Sequence, residues 1–389
     1  MSDNNPASRL RPLIAAIFAL LLLALGFIVG YGYQTLQPEP LPPATPPPGD
    51  ANLPTSVVKG LHISPDDRLV ALTNVNERTR QSQRLVVDLQ TLSYSAESSP
   101  RGWQDYIAQW SADGSSILFE RERIPTPPDE TRAGLFRERV QPAGGAAKTG
   151  PEAAPRRQQP EALTLDLPPG EKVIKGLWAR DGRLVVRTRR ETKALFLREA
   201  SGAAKRVDSS PGSYAQHREV LENGKSVFYV VRDVSAAANA VALYRVQDGQ
   251  SRKLTADLGD VAWSYVAENG RWMMVCRQAA VETELAWSLY RVTPQQAVLV
   301  KEGMVPADIN AVYWSPDFKS ILGAWGKSLW VIDIPTLKVR KLGARDDWSA
   351  QDVAWYHHEN AVLVAADGKL WKVDVATGKA RELWGLPRG

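Results

Sequence analysis

Cysteine is all but missing: Cys276 is the only one in 389 residues. No intrachain disulfide can form, and no zinc or iron–sulfur site can be built on thiolates. Histidine is nearly as scarce. His62, His217, His357 and His358 are the full set, and none stands in an H-E-x-x-H or H-x-x-E-H arrangement. The sequence has no G-x-S-x-G elbow of the kind hydrolase domains carry and no D-x-D-x-D-G calcium loop. Gly224-Lys225-Ser226 resembles the end of a phosphate loop but lacks the upstream glycine and falls in a hairpin turn. Dense Lys/Arg runs are absent too. The net charge of +5 belongs to residues 50–389, since Arg9 and Arg11 balance Asp3 and Glu39. Spread so thinly, it argues against a nucleic-acid partner.

The remaining polar candidates read as structural. Asp66-Asp67 and Asp346-Asp347 lie in or beside turns, where acidic side chains bond the backbone bend. Asp113 and Asp181 occupy the same kind of position. His357 and His358 sit in a turn, and Cys276 ends the apolar run Trp272-Met273-Met274-Val275-Cys276, as a buried inert thiol would. His62 falls on a strand next to the expected channel and is read as a hydrogen-bonded strand histidine. No catalytic, cofactor-binding or metal-ligating residue is assigned, and no cofactor is expected.

What the chain does have begins with an uncharged run, Leu13 to Tyr33. About 20 apolar residues span a bilayer core as a helix. Arg9 and Arg11 precede the run and the next basic residue is Lys59, so the positive-inside bias places residues 1–12 in the cytoplasm and the rest on the far side. A cleaved signal peptide is the competing reading, against which stands the poor cleavage site Gly30-Tyr31-Gly32-Tyr33. Residues 34–53 form a proline-rich linker, extended by composition.

From residue 54 to 384 one unit recurs: an apolar or Trp residue, a tight turn, an apolar run, a strand ending near Asp, then a basic strand. Its turns begin at Ile63, Trp110, Trp178, Val220, Val266, Trp314 and Trp355, spaced 47, 68, 42, 46, 48 and 41 residues apart. Such spacing matches four-stranded propeller blades of roughly 40–45 residues. Pro, Asp, Asn and Gly at the turns preset the bend or accept the left-handed conformation that closes a hairpin. A unit of this size cannot bury its own faces, so the units must stack and close into a ring. The expected fold is an all-β propeller of about seven four-stranded blades, with six or eight also compatible, preceded by one transmembrane helix over 13–33. The 68-residue spacing marks an insertion at about 122–160, read as a long loop.

Trp110-Ser111-Ala112-Asp113-Gly114, Trp314-Ser315-Pro316-Asp317 and Arg252-Lys253-Leu254-Thr255 carry a resemblance. The repeat is similar to the TolB-like and WD-repeat-like (PD40-type) β-propeller family. That resemblance implies an exported propeller used as a protein-binding platform or beside a hydrolase. The turns at Val220–Gly224 and Trp355–Asn360 depart from the pattern, so no individual partner is carried over. The expectation is a membrane-anchored, extracytoplasmic scaffold or sensor for another envelope or secreted protein. It is expected to be non-catalytic, with the insertion as a contact element. The alternative is an exported enzyme or carbohydrate-binding propeller using carboxylates of the central channel.

Overall fold

The chain divides into two compact units, Met1–Leu53 and Pro54–Gly389. A computed structural model describes residues 56–386 apart from short stretches, the longer ones being 125–133, 143–153, 207–214 and 234–239. The expected membrane helix and proline-rich linker lie outside the described residues. Among the described residues, no helix is long and apolar enough to cross a membrane.

The second unit is an all-β propeller. Six of its sheets have four strands each, in simple up-and-down order. Sheet 1 is Ser56–Ile63, Leu69–Asn76, Ser82–Asp88 and Tyr94–Ser98, and sheet 7 is Ala350–Trp355, Ala361–Ala366, Lys369–Asp374 and Ala380–Gly385. The expected seven four-stranded blades become six, because the second sheet has five strands. The insertion is the cause. Residues 122–160 are not one loop: Gly134–Gln141 is the third strand of that sheet, and the chain returns along both its ends as Arg156–Arg157 and Glu161–Ala162.

Turn chemistry explains the regularity of the hairpins. At Ser64, Ser111 and Ser315 the hydroxyl donates to an Asp two residues on, at 2.6, 2.6 and 2.7 Å. The same Asp accepts the N–H of Arg68, Ser115 or Lys319, and the Ser oxygen accepts the N–H that starts the next strand. The closing residue then takes a left-handed φ: Asp67 at 58°, Gly114 at 68°, Phe318 at 57°. A non-glycine there costs about 1 kcal/mol, which the locked turn offsets. A second motif joins third and fourth strands. Asp88, Asp333 and Asp374 each accept the amide of the Thr three residues on, at 3.1, 2.8 and 2.7 Å.

First strands of neighbouring sheets meet. Ser56–Ile63 lies against Trp103–Trp110 on one side and Ala350–Trp355 on the other, and Ile309–Trp314 against Ala350–Trp355. They line the axis, and the last strands form the rim. Apolar side chains fill the wedges between sheets rather than any one sheet. Leu322, Val331, Val353 and Val364 pack between sheets 6 and 7; Val58, Leu72, Leu363 and Leu370 between 7 and 1; Ala71, Ile107 and Phe119 between 1 and 2. Every first strand carries a register irregularity. Bulges of this kind bend an edge strand and turn its open side away. The amides left over are taken by side chains of adjacent sheets. Trp178 donates to Gln109 Oε1 at 2.8 Å, Ile107 to Thr73 Oγ1 at 3.1 Å, and Asp105 to Ser82 Oγ at 2.7 Å.

One wedge contains charges. Arg84, Asp105 and Glu138 are each fully buried between sheets 1 and 2. Arg84 bonds Asp105 and Glu97 and lies 3.8 Å from the centre of the Phe119 ring. Arg121 grips Asp105 through two nitrogens, at 2.7 and 2.9 Å. Arg157, from the returning strand, grips Glu138 at 2.5 and 2.7 Å and donates to the Arg84 carbonyl at 3.0 Å. Deleting one partner of such a cluster strands a buried charge. Arg84→Ala is expected to lower unfolding free energy by about 3–5 kcal/mol in urea melts, whereas Lys319→Ala, in the exposed pair with Asp317, lowers it by less than about 1 kcal/mol.

Candidate functional site

The first strands place a polar group from several sheets toward the axis. His62 ends the first of them and is half-buried. Its backbone carbonyl accepts the Trp110 indole N–H at 2.9 Å, and its imidazole donates to the carbonyl of Ile107. Burial first, and the Lys175 ammonium second, push the imidazole down from 6.5 to about 4, so at neutral pH it carries no charge. Lys175 belongs to sheet 3 and is exposed. Two side chains from sheets 1 and 3, with sheet 2 between them, come within electrostatic reach of each other.

On the other side of sheet 1 stands Asp352 of sheet 7, followed by Tyr313 of sheet 6 and Tyr265 of sheet 5. The Tyr313 hydroxyl donates to Asp352 Oδ1, which also accepts the Val353 N–H at 2.8 Å; Oδ2 accepts the Leu61 N–H of sheet 1 at 2.9 Å. Burial raises the Asp352 carboxyl, and these bonds oppose the rise. Tyr313 is raised well above the usual phenol range by burial first and by the Asp352 charge second. Asp105 and Asp352, two of the carboxylates on the first strands, are both engaged.

Other residues singled out from sequence lie away from this face. His357 and His358 are exposed and clasp the ring instead: their amides donate to Asp67 at 2.6 and 2.7 Å, and His358 Nε2 lies 3.0 Å from the Pro65 carbonyl. Cys276 is fully buried, its thiol pushed up to about 12 by burial. Asp113 is held below the usual carboxylate range, chiefly by the Ser111 hydroxyl. The His217 side chain, Asp181, Gly224-Lys225-Ser226 and Asp346-Asp347 lie outside the described residues. Among the described residues, no group of three or more His, Cys, Asp or Glu could hold a metal ion. Sequence reading passed over Arg84, Asp105, Tyr313 and Asp352. The available signal was a charge interrupting an apolar strand, as in Ala350-Gln351-Asp352-Val353.

No family model matches the chain, and no curated protein matches it. Solved structures do. The tricorn protease is 12% identical over 85% of this chain, with a TM-score of 0.50; the chain spans 34% of that protein, about a third of its length. An oligogalacturonate lyase from Vibrio parahaemolyticus is 12% identical, covering 85% of this chain and 86% of that one at a TM-score of 0.49. A putative 6-phosphogluconolactonase from Bacteroides fragilis is 11% identical, covering 86% and 96% at 0.46. At such identities the likeness shows the β-propeller fold alone. It also corrects one expectation. The reading of the chain as not an enzyme rests on the absence of a recognisable catalytic set, such as a hydrolase elbow, yet a chain named as a protease shares this fold. A missing elbow therefore gives no ground for excluding catalysis.

The depressed imidazole has a consequence for stability. The unfolded chain protonates His62 near 6.5 and the folded chain only near 4, so the unfolded state binds the extra proton between these values. Stability from this residue is fully present above about pH 6.5, falls as pH drops toward 4, and loses nothing more below that. Thermal melts at stepped pH are expected to show this slope in the wild type and a shallower one in His62→Gln.

Proposed function

We propose that this chain is an exported propeller that binds a small polyhydroxylated ligand, of the carbohydrate class, over its first strands, with His62 as proton acceptor toward it. The observation that carries the reading is that His62 of sheet 1 and Lys175 of sheet 3 lie within electrostatic reach of each other over the first strand of sheet 2. A neutral imidazole offers an acceptor and the exposed Lys175 ammonium a donor, both suited to hydroxyl groups. Export is supported by the uncharged run 13–33 behind Arg9 and Arg11.

A second reading, a protein partner held at the insertion 122–160, is favoured by one feature. Arg157 fixes the returning strand to buried Glu138, giving whatever the insertion presents a rigid mount.

The first reading is tested by calorimetric titration of the full-length protein with a panel of neutral and acidic oligosaccharides. One class is expected to bind, with His62→Gln weakening it about tenfold, the worth of one good hydrogen bond. Failure of every saccharide to bind, or equal binding by the variant, would reject it. Crosslinking that captures one protein from membranes, lost on deleting residues 143–153, would favour the second reading.

A further inference from the structure

We propose that Asp352 is a positioning residue: from sheet 7 it clamps the bulge in the first strand of sheet 1 and so sets the direction in which His62 faces the axis. The inference rests on the reading of His62 as the ligand-facing group.

The bulge falls between Lys59, opposite Thr73, and His62, opposite Ala71. Gly60 and Leu61 lie within it, out of step with the neighbouring strand. Asp352 Oδ2 accepts the Leu61 N–H at 2.9 Å, and the Gly60 amide also donates to this carboxylate. On its other side the bulge presses against sheet 2. Gly60 has φ of 65°, and a Cβ there would stand 2.5 Å from the Ile107 carbonyl oxygen. This is the carbonyl that accepts the His62 imidazole N–H. The bulge is thus held between a carboxylate of sheet 7 and a carbonyl of sheet 2, and the imidazole is tied to the second of these. Any shift of Leu61 toward or away from Asp352 changes the separation of Gly60 from Ile107, and with it the ring's orientation.

Asp352 is itself fixed by the Tyr313 hydroxyl and the Val353 amide. It therefore transmits the position of sheet 6 through sheet 7 to the end of the first strand. A neighbouring bond separates this role from mere closure of the ring. Gln351 Oε1 accepts the Val58 N–H at 2.9 Å, joining the same two sheets ahead of the bulge. It secures the seam and leaves Gly60 and Leu61 untouched.

The test is a pH titration of nitrogen-15 histidine signals in the full-length chain, with His62 assigned through its loss in His62→Gln. Four histidines keep the spectrum simple. Asp352→Asn is expected to displace the His62 midpoint further below about 4, because the Ile107 bond that holds it up is loosened, and to alter its tautomer signal, while Leu61 amide exchange quickens about tenfold. Gln351→Ala is expected to leave the His62 signals where they are. An unchanged His62 in Asp352→Asn, or equal displacement in both variants, overturns the proposal. Should Asp352→Asn not fold, Tyr313→Phe is judged by the same two criteria. These signals are read without ligand, so a protein that binds no saccharide defeats the functional reading and leaves this result standing.

Discussion

The ring closes without sharing a strand, and the rest of the structure depends on how that seam is held. Sheet 1 and sheet 7 are each built from one continuous stretch of chain, so no backbone ladder ties the beginning of the propeller to its end. Three sets of contacts do so instead. Apolar side chains of both sheets interlock, with Tyr94 and Trp384 in ring contact at 5.1 Å near the rim. Gln351 and Asp352 take up two first-strand amides, and Asp67 takes the amides of His357 and His358. The bonds at the axis are desolvated, where an unmade bond costs most.

The same logic is spread around the axis. First strands are edge strands, and an edge presents unpaired amides. This chain bends each one with a bulge and gives several leftover N–H groups to Gln, Thr, Ser or Asp from the adjacent sheet. Polar residues on the inner strands are therefore mostly committed to holding sheets together. Against that background His62 stands out because its imidazole also feels the Lys175 ammonium of another sheet.

Much of the fold was legible because the turns are chemical signatures. Ser-x-Asp followed by a residue able to take a left-handed φ marks the same hairpin at Ser64, Ser111 and Ser315. The second unit was misjudged because its third strand, Gly134–Gln141, sits inside a stretch rich in Pro, Ala and Gly that reads as loop. The candidate site was legible only at His62. Its partners are far away in the chain: Leu61 and Asp352 stand 291 residues apart, and no local pattern reports a contact at that separation. The charged wedge was hidden for the same reason, and because Arg84 in Ser82–Asp88 looks like any basic residue on a strand.

The seam also has an evolutionary side. A propeller stitched by a shared strand is tied to one start and one finish. Here the step from the rim strand Ala380–Gly385 of sheet 7 to the axial strand Ser56–Ile63 of sheet 1 is the same outward-to-inward step that links the other neighbouring sheets. Each sheet is self-contained in sequence, so the order in which the genome spells them is arbitrary in physical terms. A gene rearrangement that joined the two ends and opened the chain between two other sheets would leave every strand with its present partners. Such a rearrangement keeps the partners of Gln351, Asp352 and Asp67 in place, whereas gaining or losing a sheet beside the seam would part them.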